Sequence, residues 1–82
     1  MTSVVEITLY TRSNCPLCDK AKVAIRASGV AMHLTEVDID GDALLHDLYD
    51  HHVPVIFVDG VEAFRHFVQP EELAAYVAAR RR

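Results

Sequence analysis

The amino-acid sequence predicts an α/β fold with the element order β-α-β-α-β-β-α. Apolar residues alternate with other residues near the start of the chain, and the apolar spacing then becomes helical. A short β-branched run further on is followed by a two-residue hairpin turn. A chain of 82 residues has room for one hydrophobic core, so we expect a single domain over residues 1–82.

The first element is a strand, because Val5, Ile7 and Leu9 alternate with Glu6, Thr8 and Tyr10. A central strand is covered on both faces, so Thr8 and Tyr10 are also expected to be buried. Residues 11–14 are polar and predict a loop.

A helix follows this loop, and its apolar residues form one face: Leu17, Ala21, Ala24 and Ile25. Gly29 is placed to end the helix in the left-handed conformation that glycine tolerates. Residues 33–39 then predict a second strand, with Leu34, Val37 and Ile39 apolar. A strand-helix-strand order favours parallel pairing through a right-handed crossover.

Residues 40–42, Asp-Gly-Asp, predict a turn that supplies helix N-caps. The short helix after it is expected to turn Leu44, Leu45 and Leu48 inward. Residues 53–58 are almost continuously apolar and too few for a helix, so they predict a strand buried on both faces.

The end of the chain predicts a hairpin and a last helix. Asp59-Gly60 is a strong hairpin signal, and residues 61–64 form the returning strand. Pro70 suits the first position of a helix that packs Leu73 and Val77 inward. The expected result is a mixed four-stranded sheet flanked by helices.

Composition and charge argue against several classes of partner. The formal net charge of −4 gives no electrostatic reason to expect nucleic acid, and the basic residues 80–82 suit the end of a helix. No apolar run approaches the ~20 residues of a membrane span, and residues 1–10 do not resemble a signal peptide. We therefore expect a cytoplasmic protein without a membrane partner, and a monomer.

The candidate site is the sequence Cys15-Pro16-Leu17-Cys18, where the first strand passes into the first helix. Cys15 falls at the N-cap position and Pro16 at the first helical position, so the unpaired amides of the helix point at the Cys15 sulfur. This setting favours thiolate over thiol. Cys18 lies one turn further on and is expected to be the more buried thiol. Such a pair suits disulfide exchange, with Cys15 as nucleophile and Cys18 as resolving thiol.

Two other interpretations of the cysteine pair remain open. The cysteines could simply pack at the start of a helix, or the domain could be a binding module whose thiols are held reduced or bind metal. Zinc usually needs four ligands, and two cysteines are present, although His51 and His52 could complete a site.

Two segments together resemble a glutaredoxin-like protein of the thioredoxin-fold superfamily: Leu9 to Cys18, with its CPxC element, and Val53 to Gly60, with a Val-Pro before a buried strand. The resemblance covers essentially the whole chain. It implies a thioredoxin-like fold and a thiol–disulfide oxidoreductase that needs no metal or organic cofactor. Its substrate would be a disulfide-bearing protein or a small thiol. A reductase, or glutathione as a co-substrate, would recycle the disulfide.

The same resemblance implies roles for individual residues. Pro54 would be cis and face the cysteines, and the backbone of Val53 would pair with the bound peptide or thiol. Arg12 matches a basic residue common three places before the first cysteine, and it could hold a carboxylate. The expected substrate-binding residues are Arg12, Pro16, Val53 and Pro54.

The chain departs from the family pattern after the hairpin. Glutaredoxins that bind glutathione usually carry a Gly-Gly pair and then an acidic residue, whereas this segment reads Phe64-Arg65-His66-Phe67-Val68. We therefore expect glutathione to be a poor reductant. His51 and His52 would lie at the rim of the site or in a solvated turn, Tyr10 could line the site or pack in the core, and the three phenylalanines are predicted as core or hairpin contacts.

Overall fold

The fold is built on a four-stranded sheet with the strand order β2-β1-β3-β4. The strands are β1 (Val5–Thr11), β2 (Met32–Asp38), β3 (Val55–Val58) and β4 (Val61–Arg65). β2 runs parallel to β1, β3 is antiparallel to β1, and β4 is antiparallel to β3. The computed structural model describes residues 4–80. The predicted mixed sheet is confirmed.

Three helices flank the sheet: α1 (Pro16–Ala27), α2 (Ala43–Tyr49) and α3 (Pro70–Arg80). A 3₁₀ turn at Ile39–Gly41 leads into α2, and Asp42 caps α2 through its carboxylate. Gly29 has a φ of +77° just after the end of α1, as expected of a C-terminal glycine. The hairpin turn also has positive φ at both central residues, 49° at Asp59 and 83° at Gly60.

The main core lies on the face of the sheet that α1 and α3 cover. The buried side chains of β1 and β3 meet those of the two helices and of the segment before α3: Val5, Ile7, Leu9, Ala21, Ala24, Ile25, Ile56, Val58, Val68, Leu73 and Val77. The alternation in β1 and the helical spacing in α1 predicted most of these residues, because both patterns report which face of an element is apolar.

A smaller cluster lies at the carboxyl end of β1 and contains the cysteines. Cys18, Ile39 and Val53 are buried in it, and partly buried side chains pack around them: Tyr10, Cys15, Leu45 and Tyr49. The rings of Tyr10 and Tyr49 stack at 5.1 Å between centroids. Tyr10 is therefore half-buried against α2 and the cysteine cluster. Thr8 is also half-buried, whereas burial was expected of both residues.

The predicted inward face of α2 was wrong for two of its three leucines. Leu44 and Leu48 are 69% and 55% exposed, and Leu45 packs inward. The second inward position is occupied by Tyr49, four residues after Leu45 on the same side of the helix. A helix of seven residues has room for this one short apolar stripe.

Other differences are shifts of a residue or two. Ile39 is buried in the 3₁₀ turn instead of ending β2, and β3 begins at Val55, after the buried residues 53 and 54. Leu17 is half-buried because the neighbouring Cys18 takes the buried side of α1. Phe67 is 69% exposed, so its prediction as a core contact was wrong.

The predicted role of the terminal arginines is described at one position. Arg80 ends α3, and its Nη1 donates to the hydroxyl of Tyr76 at 3.1 Å. Arg81 and Arg82 lie outside the described residues, as do residues 1–3 of the N-terminal stretch.

The packing of the core predicts the effect of shortening a buried side chain of α3. Leu73 is fully buried, so Leu73→Ala should lower the free energy of unfolding by about 2–5 kcal/mol. Leu44→Ala makes the same chemical change at a helical position that is 69% exposed, and should cost less than about 1 kcal/mol. Urea denaturation measures both values, and equal losses would contradict the packing described above.

Candidate active site

Cys15 caps the first turn of α1. Its backbone is extended, with φ −114° and ψ 101°, as the residue before a proline prefers. Its Sγ accepts a hydrogen bond from the backbone N–H of Cys18 at 3.2 Å, and its carbonyl accepts one from Asp19 N–H at 3.1 Å. Pro16 follows at the first helical position and is exposed. The predicted N-cap placement of Cys15 is confirmed.

The two thiols lie in different surroundings. Cys15 is partly exposed, whereas Cys18 is 1% exposed beneath it, and both are free. Burial, and then the hydrogen bond with Cys15, raise the pKa of Cys18 above its ordinary value. The Thr11 side chain and the Arg12 backbone, which lie near this sulfur, lower that pKa and partly oppose the shift. Thr11 was not recognised in the sequence as a site residue.

The segment Val53-Pro54 meets the cysteines across the small cluster. The peptide bond between the two residues is cis, as the resemblance implied, and Pro54 is fully buried. Val53 packs in the same cluster as Cys15 and Cys18. The carbonyl of Pro54 accepts a hydrogen bond from His66 N–H at 2.7 Å, which fixes the segment to the end of β4. The fold thus brings together the cysteines and the predicted docking residues.

Arg12 is held by two carboxylates that the sequence analysis did not single out. Its Nη1 donates to the Asp50 carbonyl at 2.8 Å and to Asp50 Oδ1 at 2.9 Å, and its Nη2 donates to Asp40 Oδ1 at 2.9 Å. The contact with Arg12 lowers the pKa of Asp50 from its ordinary value. The predicted binding of a substrate carboxylate by Arg12 stays a prediction. Asp40 and Asp50 are 28 and 38 positions from Arg12, so no local spacing could have found this contact.

The histidines lie around this network and beside Pro54. His46 Nε2 lies 3.3 Å from Asp50 Oδ1, and His51 Nε2 lies 3.4 Å from Asp50 Oδ2. His52 stacks on His66 at 5.8 Å between ring centroids. Within residues 4–80 no group of three or more His, Cys, Asp or Glu side chains is placed to hold a metal ion.

The segment where glutathione-binding glutaredoxins usually have Gly-Gly and an acid is occupied differently here. Arg65 makes a bidentate pair with Glu62, at 2.9 and 3.0 Å, and lies over the ring of Tyr49 at 5.9 Å. His66 adopts a φ of +73°, which a glycine would take without cost. Val68 is buried in the main core. In place of glycines and an acid, this segment carries bulky side chains.

The comparisons with known proteins assign the family. A family model described as a glutaredoxin-like domain (DUF836) matches residues 6–78. The chain belongs to this glutaredoxin-like family. A solved structure of the protein XcR50 from X. campestris is similar to the domain, with 33% identity, a TM-score of 0.79, and coverage of 89% of this chain and 96% of that one.

Two further structures match this glutaredoxin-like domain over most of its length. Protein Ne2328 from Nitrosomonas europaea is 26% identical, with a TM-score of 0.72 and coverage of 93% of this chain and 94% of that one. Glutaredoxin 1 from Francisella tularensis is 24% identical, with a TM-score of 0.57 and coverage of 94% and 96%, and it shares the fold. The thioredoxin-like fold predicted from the sequence is confirmed.

Among residues 4–80, no helix is both long and apolar enough to cross a membrane.

The contacts of Cys18 predict the effect of removing the Thr11 hydroxyl from the glutaredoxin-like domain. Thr11→Val keeps the shape of the side chain but removes the hydroxyl that lowers the pKa of Cys18, so this pKa should rise further. Thr11→Ser keeps the hydroxyl and is the matched control. A carbon-13 NMR titration of the Cys18 Cβ measures the change. A Cys18 pKa that is the same in Thr11→Val as in the wild type would contradict this effect of the hydroxyl.

Proposed function

We propose that this glutaredoxin-like domain is a thiol–disulfide oxidoreductase that works by a dithiol mechanism. The observation that carries the proposal is the difference between the two thiols. The sulfur of the partly exposed Cys15 accepts a hydrogen bond from an amide at the N-terminus of the helix, and Cys18 is buried one turn below. The thiolate is the nucleophile in disulfide exchange, and the Cys18 amide at the N-terminus of α1 faces the Cys15 sulfur.

The reaction runs in two exchanges. The Cys15 thiolate attacks one sulfur of a substrate disulfide; the substrate S–S bond breaks, one substrate thiolate leaves, and a mixed disulfide with Cys15 forms. Cys18 then gives its proton to solvent and attacks Cys15 Sγ, which breaks the mixed disulfide, releases the second substrate thiolate and leaves a Cys15–Cys18 disulfide. The two substrate thiolates take up protons from solvent, so the substrate gains two electrons and the domain loses two. A dithiol reductase, or two molecules of a monothiol such as glutathione, must later reduce the Cys15–Cys18 disulfide.

The docking edge is proposed at the backbone of Val53 beside Pro54. Both residues are buried, and Val53 packs in the cluster that contains the cysteines, so a bound chain at its backbone would be next to Cys15. Pro16 is exposed beside Cys15 and would contact the same ligand. The substrate class is a disulfide-bearing protein or a small disulfide, and we propose the cytoplasm, where thiols are kept reduced, as the place of action.

Substitution of the two cysteines tests the order of the exchanges. Cys15→Ser should abolish reduction of a disulfide substrate, because it removes the attacking sulfur. Cys18→Ser makes the same chemical change at the resolving position, and should instead accumulate a mixed disulfide that mass spectrometry detects. Full turnover by Cys15→Ser, or a mixed disulfide on Cys18, would contradict the assignment.

The choice of reductant follows from the bulky segment after β4. We expect glutathione to reduce the oxidised domain slowly and without saturation, because side chains replace the glycines that usually bring backbone close to the tripeptide. Parallel rates with glutathione and with NADPH and thioredoxin reductase measure the preference. Fast, saturable turnover with glutathione would show that the absent motif is not needed.

A further inference from the structure

The Arg12 network joins the two halves of the proposed site. Arg12 lies three residues before Cys15, and Asp50 lies three residues before Val53. The guanidinium reaches both the carbonyl and the carboxylate of Asp50, at 2.8 and 2.9 Å. We propose that Arg12 and Asp50 are positioning residues that hold the Val53-Pro54 segment against the cysteine loop for docking of a polypeptide disulfide. This inference rests on the proposed function.

The geometry of the network suits a fixed spacer. The Nη1 atom is taken by Asp50 and the Nη2 atom by Asp40, at 2.9 Å in the 3₁₀ turn. The guanidinium therefore links two other segments of the chain to the loop after β1. His46 Nε2 lies 3.3 Å from the same Asp50 oxygen and 3.8 Å from Asp40 Oδ1. Lysine, a single charge without the fork, could not reproduce these contacts.

The network should matter more for local geometry than for overall stability. The side chains of Arg12 and Asp50 are 29% and 35% exposed, and ion pairs this accessible to water contribute little to the free energy of unfolding. A docked chain, in contrast, must contact the Val53 backbone while its sulfur meets Cys15. Loosening the Val53 segment should therefore weaken docking of the chain, while a chain that has docked still presents its sulfur to Cys15. A small alkylating reagent needs only Cys15.

The rival role for Arg12 is direct binding of a substrate carboxylate, and Asp50→Asn separates the two roles. If Arg12 binds the substrate, weakening its internal partner frees the guanidinium, and substrates with a free carboxylate should bind more tightly. If Arg12 and Asp50 act together as a spacer, Asp50→Asn should weaken binding of every polypeptide disulfide, whether or not it carries a carboxylate.

The experiment is single-turnover reduction of a synthetic peptide with one internal disulfide by the pre-reduced protein. The peptide is made both with a free C-terminal carboxylate and with an amide. Three quantities are measured: the half-saturating peptide concentration, the limiting rate, and the rate of iodoacetamide alkylation at Cys15. They are compared among the wild type, Arg12→Met, Arg12→Lys, Asp50→Asn, and the double variant that combines Arg12→Met with Asp50→Asn. Glu36→Gln is the matched control. It makes the same acid-to-amide change as Asp50→Asn, but at the 2.8 Å ion pair between Glu36 on the outer strand β2 and Lys22 on α1.

The expected result is a half-saturating concentration at least about fivefold higher in Arg12→Met and Asp50→Asn, for both peptides, with the limiting rate and Cys15 alkylation within about twofold of wild type. The double variant should be no worse than the worse single variant, since Arg12→Met already removes the contact that Asp50→Asn weakens. The half-saturating concentration of Arg12→Lys should lie between those of the wild type and Arg12→Met, and that of Glu36→Gln should match the wild type.

Three results would overturn the inference. The first is a half-saturating peptide concentration that is unchanged in both Arg12→Met and Asp50→Asn. This result counts against the inference even if part of the variant protein is unfolded and the limiting rate falls for that reason. Tighter binding of the free-carboxylate peptide alone by Asp50→Asn would assign Arg12 to the substrate. A wild type that is alkylated at Cys15 but reduces neither peptide would overturn the proposed function itself, and the inference with it.

Discussion

The hydrogen bond from the Cys18 amide to the Cys15 sulfur is the contact on which the proposed chemistry depends. A helix that begins at Pro16 leaves unpaired amides at its N-terminus, and the extended backbone at residue 15 turns the sulfur back toward them. Proline at the first helical position fixes this arrangement, because it restricts the residue before it and lacks an amide that would need a partner. The extended backbone of Cys15 and the proline that follows it thus decide where the sulfur points.

The rest of the fold keeps that helix start in place. The apolar faces of α1 and α3 close the main core against β1 and β3, and β1 delivers the cysteine loop at its carboxyl end. The second cluster uses the same loop as a packing element, so burial of Cys18 serves both the fold and its own chemistry. A domain of 82 residues buries a smaller fraction of its surface than a larger domain does, so each buried side chain is a sizeable part of a small core.

Sequence patterns identified the parts of this structure that depend on local spacing. The alternation of β1, the face of α1, the Asp59-Gly60 turn and the N-cap at Cys15 each follow from neighbours along the chain, and each is present. The short helix α2 was misread because three leucines in five positions do not define one face, and a tyrosine just beyond them took the inward place.

Contacts between distant segments were beyond such patterns. The partners of Arg12 come from the 3₁₀ turn and from the end of α2, and only the folded chain brings these carboxylates to one guanidinium. The Thr11 contact with Cys18 also depends on how the end of β1 lies beside the first turn of α1. The cis bond at Pro54 was predicted by resemblance to a family, since local sequence leaves the trans form far more common.

The most direct test of the central claim is the reduction potential of the Cys15–Cys18 couple, measured by equilibration in thiol–disulfide buffers. A working oxidoreductase pair of this kind should close reversibly, with a potential between roughly −270 and −180 mV. A pair that forms no disulfide under mild oxidant, with both thiols recovered free, would contradict the account.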